Sequence, residues 1–370
     1  MRLRSTKAIL VNVASFITGS IVTLLICSSP ESDQKNKEIT DLHQIKENVK
    51  NETLPVQSAK AEDSLPPPRP TLPPYPPSFK ERTMFLSPSG SDNDAFLVII
   101  VVSTSKNFEA RKAIRASWGK STSGSNSNQD SFRLFFVVGC DEVSDERVEK
   151  ESQTYSDILR GNFLDTYVQN ELHTVKILLG LKWATTMSNS QYILKVNSDS
   201  FVNVQETIKW LHSLSDSTGD ILQYKKDVYT GYCHSGVAVV RNPLSPYFIP
   251  ENQWSDERLP TYGSGIGVVL SRDVAERMVQ LVRETKMIHI DDVFIGVLAQ
   301  NLNIRCQDES SRFDIAYTTM LTECADMNFC VLGSVPAKDM FYLNQNVGHL
   351  RDICNEDKEK EGLLDDFFNV

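Results

Sequence analysis

Three places in this 370-residue chain put chemically capable residues where a fold could use them. In the first, the apolar run Tyr192-Ile193-Leu194-Lys195-Val196 stops at Asn197-Ser198-Asp199 and resumes with Phe201-Val202. Such a pattern presents one carboxylate at the end of a buried strand, which is where open α/β sheets bind ligands. The same residue types also make ordinary turns, so a plain turn is the other reading. In the second, Asp291-Asp292 precedes the apolar stretch 293–299. One acid at a helix start caps backbone N–H groups and meets the positive end of the dipole, but the adjacent acid has no such account and is a candidate base. In the third, Arg111 and Arg115 lie four apart on one helical face. They could grip a diphosphate or form a solvated basic face.

The elements that must position these residues follow from periodicity. Residues 96–102 form a continuous apolar run suited to a strand covered on both faces. A helix is predicted over 107–118, a second buried strand over 133–138, and helical patterns over 145–159 and 171–187. A helix at 204–214 follows the strand at Tyr192, then a mixed segment at 236–240 and a loop rich in Pro and aromatics up to Tyr262. Ser271 is placed to cap a helix whose Val274, Met278, Leu281 and Val282 recur at core spacing, and a wholly buried helix follows Asp291-Asp292. Alternating strands and helices predict an α/β domain with a mainly parallel sheet.

Charged residues make up 23% and hydrophobic ones 40%, enough for a sizeable core. The net charge of −10 argues against a nucleic-acid binder, which would be expected to show a basic face. Residues 1–7 carry Arg2, Arg4 and Lys7, and 8–27 contain no charged side chain. Twenty residues in a helix span about 30 Å, the thickness of a bilayer core, so 8–27 is predicted to be a signal anchor with residues 1–7 cytosolic, a cleaved signal peptide being the alternative. Residues 28–94 are charged and then proline-rich, a disordered stem, with a glycosylation acceptor at Asn51. Residues 95–355 form the folded domain and 356–370 an acidic tail. Cys140, Cys233, Cys306, Cys324, Cys330 and Cys354 are an even set beyond the anchor, which predicts disulfides in an oxidising compartment.

Ordered motifs then carry a resemblance. R-x-x-I-R-x-T-W is matched by Arg111, Ile114, Arg115 and Trp118, with Ser117 for Thr. E-x-x-x-Y-x-D-I-L-x-x-x-F-x-D-x-Y is matched by Glu151, Tyr155, Asp157, Ile158, Leu159, Phe163, Asp165 and Tyr167. K-x-D-D-D-x-F-V-N aligns with residues 195–203, Y-x-S-G-x-G with 262–267 and E-D-V-x-x-G with 291–296. From about residue 96 to 304 the chain resembles the β-1,3-glycosyltransferases, the galactosyltransferase and N-acetylglucosaminyltransferase group related to Fringe. That resemblance implies a GT-A-type nucleotide-sugar-binding domain with a mainly parallel central sheet, in a Golgi type II membrane protein with a lumenal catalytic domain. It also implies inverting transfer of galactose or N-acetylglucosamine from a UDP-sugar to a glycan on glycoprotein or glycolipid, with Mn²⁺ as cofactor. By position Asp292 is the general base, Asp199 the metal ligand, and Arg111, Arg115, Lys195, Asn197, Ser198 and Gly265 the donor-binding set.

Departures from the pattern fall on the metal. Asn197-Ser198 replaces the first two acids, which weakens attraction for a cation. The family's metal-binding His aligns with Gly333, leaving His349 as the substitute. Glu171 and His173 stand where the family usually carries Thr and Lys. The alternative to an enzyme is a catalytically impaired partner of an active transferase.

Overall fold

The computed structural model describes residues 10–13, 22–25, 84–88, 95–120, 131–141, 143–165, 171–218, 221–316 and 324–368. Two units divide the chain, 1–72 and 73–370. The first contributes an antiparallel hairpin, β1 (Leu10–Val13) with β2 (Val22–Leu25). These described parts of the expected membrane helix are therefore strands, as Val, Thr and Leu in short runs permit. Among the described residues no helix is long and apolar enough to cross a membrane. Asn51 and most of the expected stem lie outside the described residues.

The second unit is built on an eight-stranded sheet, with the short strands β8 (Phe201–Val202), β9 (Asp216–Thr218) and β10 (Ile221–Gln223) outside it. In spatial order its strands are β13 (Gln307–Asp308), β11 (Tyr229–His234), β12 (Tyr262–Ser271), β7 (Tyr192–Asn197), β4 (Leu97–Val102), β5 (Phe132–Cys140), β6 (Ile158–Leu164) and β3 (Met84–Leu86). The run β7-β4-β5-β6 is parallel, as is β11 with β13, while β12 is antiparallel to both its neighbours. The mainly parallel α/β reading holds. The domain starts earlier than residue 95, because β3 pairs antiparallel with β6 at the sheet edge.

Alternation along β4 explains its unbroken apolar sequence. Val98, Ile100 and Val102 pack on one face with Phe135, Val137 and Ile193, beneath α3 (Glu171–Met187), α5 (Arg272–Leu281) and α6 (Asp291–Asn301). Leu97, Ile99 and Val101 face the opposite core with Phe136, Val138 and Leu194. That side carries α1 (Phe108–Ala116), α2 (Asp145–Tyr155), α4 (Val204–Ser213) and α7 (Ala337–Phe368), from which Ile114, Val148, Leu211 and Leu343 reach the core.

Several expectations change in detail. Residues 158 and 159 belong to β6, not to the helix before it, since Ser156 adopts a left-handed backbone that ends α2. The Gly-rich stretch 262–267 is the start of a ten-residue strand. Ser271 stands before α5 but accepts the N–H of Val228 instead of capping. Residues 356–368 continue α7 as helix where a tail was expected. Of the six cysteines, Cys233 pairs with Cys306 and Cys324 with Cys354, leaving Cys140 and Cys330 as thiols. A Thr and a Lys with the spacing expected at 171 and 173 occur three residues later. Thr174 donates to the Ile288 carbonyl, and Lys176 is buried against Asp165 at 2.5 Å.

Candidate active site

The strand order sets the site. From β4 the chain moves outward to β5 and β6, then returns to the other side of β4 as β7. Loops leaving the carboxyl ends of β4 and β7 therefore diverge, and this is the switch point at which open α/β sheets place a ligand crevice. Asn197 ends β7 beside Val102 of β4, and the Ser198 N–H donates to the Val102 carbonyl at 3.1 Å. Across the crevice mouth, the Asn107 amide donates to Ser198 Oγ at 3.2 Å. Asp199 is exposed on the turn, and its carbonyl accepts the N–H of Val335 at 2.8 Å. Residues 197–199 are thus a turn at the end of a buried strand.

On the neighbouring strand, β12, Gly265 faces the start of α6. A Cβ built at Gly265 would lie 2.7 Å from Asp292 Oδ2, so only glycine lets this carboxylate approach the strand. The Gly265 N–H bonds the Asp292 carboxylate, and the Gly265 carbonyl accepts from Lys195 Nζ at 3.0 Å. Lys195, buried on β7, also stands 3.3 Å from both Asp291 Oδ2 and Asp292 Oδ1. It holds the acid pair instead of turning to a ligand.

The two acids titrate apart. Burial works against ionisation of both. At Asp291 burial is the largest single influence, but the Lys195 and His173 charges and the hydrogen bonds from Lys195 and the Asp292 backbone together outweigh it and hold the carboxyl below its ordinary value. At Asp292 burial, reinforced by the Asp291 charge, pushes it up to about 7. Lys195 remains a cation, because the two acids outweigh its own burial and raise it. A carboxylate with 22% of its side chain exposed and a midpoint near neutrality suits a general base. The Tyr262 ring lies against His234, with centroids 5.0 Å apart. Burial and then the Asp292 charge raise the Tyr262 hydroxyl.

The arginine pair has another use. Arg111 is fully buried and every guanidinium nitrogen is engaged: Nε and Nη2 with Glu151, Nη1 with Ser103 Oγ and the Thr104 carbonyl, Nη2 also with the Ser105 carbonyl. Arg115 binds Asp157 through Nε and Nη2 and Glu151 through Nη1. Neither solvated face nor diphosphate cradle describes them. They tie the loop after β4 to α2, and so shape one lip of the crevice from behind. The Asp165 carboxylate reinforces that loop, accepting the Ser105 N–H, the Ser105 hydroxyl and Lys176.

Gly333 lies two residues from the Val335 N–H that holds the Asp199 turn. His349 is exposed on α7. Among the described residues no three His, Cys, Asp or Glu side chains gather closely enough to hold a metal ion, so Asp199 and His349 belong to no such group.

With this geometry in place, the comparisons are specific. The profile described as Galactosyltransferase matches residues 109–310, and the chain belongs to that family. Mouse (Mus musculus) Beta-1,3-galactosyltransferase 1 is 35% identical over 215 residues, 57% of this chain and 62% of the relative. Human (Homo sapiens) Beta-1,3-galactosyltransferase 5 is 29% identical over 63% of this chain and 75% of its own length. The chain therefore spans less than two thirds of the first of these relatives. Among solved structures, apo mouse xyloside xylosyltransferase 1 aligns over 61% of this chain and 88% of its own at 9% identity, with a TM-score of 0.30. That likeness is too low to bear on function.

Sequence reasoning missed Asp291 as the partner that splits the acid pair, Asn107 as the bridge across the crevice, and the holding role of Lys195. The doubled acid was the visible signal for the first. Nothing local distinguishes Asn107 from a loop residue.

Proposed function

We propose that this protein is an inverting β-1,3-hexosyltransferase that moves galactose or N-acetylglucosamine from a UDP-sugar to a glycan hydroxyl on glycoprotein or glycolipid. The observation that carries this reading is Asp292, a carboxylate on a helix start with a midpoint near 7, facing Gly265 beside the β7 strand end. The family gives the reaction class, and β-1,3-galactosyltransferase relatives favour a hexose donor.

In this mechanism the crevice between β4 and β7 takes the nucleotide, with Asn197 and Ser198 facing it. Asp292 accepts the proton of the acceptor hydroxyl as that oxygen bonds to the anomeric carbon. The bond from that carbon to the diphosphate breaks, and UDP leaves with the electron pair. Attack opposite the leaving group inverts the configuration. Lys195 keeps Asp291 ionised, and the Asp291 charge keeps Asp292 basic enough to take the proton.

The basic residues before the uncharged stretch 8–27 support a type II Golgi membrane protein with the domain in the lumen, and the two disulfides accord with an oxidising compartment. The second reading, a partner of an active transferase, is favoured by one observation, the neutral Asn197-Ser198 pair.

Full-length protein in detergent is to be assayed for UDP release and sugar transfer from UDP-galactose and UDP-N-acetylglucosamine to a broad glycan panel. Transfer is expected, and Asp292→Asn should lower it about a hundredfold or more. No turnover with any UDP-hexose sinks the enzyme reading in favour of the partner.

A further inference from the structure

The family resemblance implies a divalent cation beside Asp199, and the residues present do not make a site for one. Hard cations that bind nucleotides use one or two carboxylates in addition to phosphate oxygens. Here the turn supplies the minimum, a single carboxylate, and holds it on an exposed residue where solvent and salt screen it. Asn197 and Ser198 carry no charge. Ser198 Oγ already accepts the Asn107 amide, which leaves its own O–H free to donate. That O–H can reach a phosphate oxygen, while the Asn107 amide leaves Ser198 Oγ a single lone pair to offer a cation.

The position of the expected imidazole is also closed. A Cβ at Gly333 would lie 2.5 Å from Ile266 Cγ2 and 2.8 Å from the Ile315 carbonyl oxygen. The Ile266 backbone is held in turn, because its carbonyl accepts the hydroxyl of Ser200, the residue after Asp199, at 2.7 Å, and its β-branched side chain has little rotamer freedom. The ligand is therefore not merely missing: an aliphatic side chain and a backbone oxygen occupy its place.

We infer that this domain takes the nucleotide diphosphate without a resident divalent cation, through hydrogen-bond donors at the β4 and β7 loop ends, with Ser198 contacting the phosphate and Ile266 filling the imidazole position. The inference rests on the nucleotide-sugar reading above.

The test uses the full-length chain. UDP affinity is measured calorimetrically with Mn²⁺ and with EDTA, for wild type and Ser198→Ala. Bound Mn²⁺ is counted by electron paramagnetic resonance, with and without UDP, for wild type and Asp199→Ala. The expected result is a UDP affinity equal within about twofold in Mn²⁺ and EDTA and weakened severalfold by Ser198→Ala, with Mn²⁺ binding indifferent to Asp199→Ala. Mn²⁺ that tightens UDP about tenfold or more and is lost in Asp199→Ala overturns it. If UDP binds in neither condition, the donor reading fails. The metal question is still decided by the Mn²⁺ count without nucleotide: binding that Asp199→Ala removes overturns the inference, and binding it leaves unchanged supports it. Independently, Gly333→Ala should lower Tm by several degrees. An unchanged Tm, with Mn²⁺ bound by Gly333→His, would show the position to be open and overturn the closure.

Discussion

Between the ordinary carboxylate range and about pH 7, folded Asp292 holds a proton that the unfolded chain has released. Stability therefore falls as pH rises through that window, because the folded state binds more protons there. Asp292→Asn removes the penalty, so the variant should gain Tm relative to wild type at pH 8 and little at pH 5, by thermal unfolding at both. In the proposed mechanism catalysis runs the other way, since a base must be ionised. In wild type, kcat/KM should decline as pH falls below about 7, the value set by burial and by the neighbouring Asp291. Gly265→Ala tests the same geometry by steric means. Its Cβ would sit 2.7 Å from Asp292 Oδ2 and displace the carboxylate, so kcat should drop much more than donor affinity does.

At the scale of elements, the loop after β4 is held from behind by a buried ionic cluster. Burial opposes the charge on Glu151, yet Arg111 and Arg115 outweigh it and hold the carboxyl below its ordinary value. Removing Arg111 leaves Glu151 with Arg115 alone and strips Ser103 and the Thr104 and Ser105 carbonyls of their donor, a loss on the order of the 3–5 kcal/mol of a broken buried pair. Arg111→Met should therefore destabilise the domain by about that much in urea unfolding. Arg111→Met with Glu151→Met should lose less than the sum of the single changes, because no orphan charge remains at that contact. The helical spacing of Arg111 and Arg115 was legible in the sequence. Their partners were not, since Glu151 and Asp157 lie 40 and 42 residues away and reach them only when α2 packs beside α1.

Across the whole molecule, β3 joins the sheet from within a segment whose composition reads as stem. Residues 84–86 form too short a run to announce a strand, and pairing with β6 supplies what local propensity does not. A chain beginning at residue 90 should therefore unfold at lower Tm than one beginning at residue 80, because β6 loses its edge partner. The Cys233–Cys306 bond, 73 residues apart, ties β11 near the start of β13, and reducing it should cost about 2–4 kcal/mol.

The sequence alone determined the α/β class, because runs buried on both faces of a parallel sheet are apolar throughout and are recognisable without partners. It also determined the two acidic points, since polar residues interrupting apolar runs are costly unless they serve a turn, a cap or a site. Tertiary structure decided what those points are. The switch between β4 and β7 set the 197–199 turn at the divergence of two loops, and the close approach of Gly265 to Asp292 gave two adjacent acids different environments. It also set Arg111 and Arg115 against distant carboxylates and put Ile266 where Gly333 would need a side chain. These outcomes depend on which surfaces meet across dozens of residues, and local spacing carries no record of that.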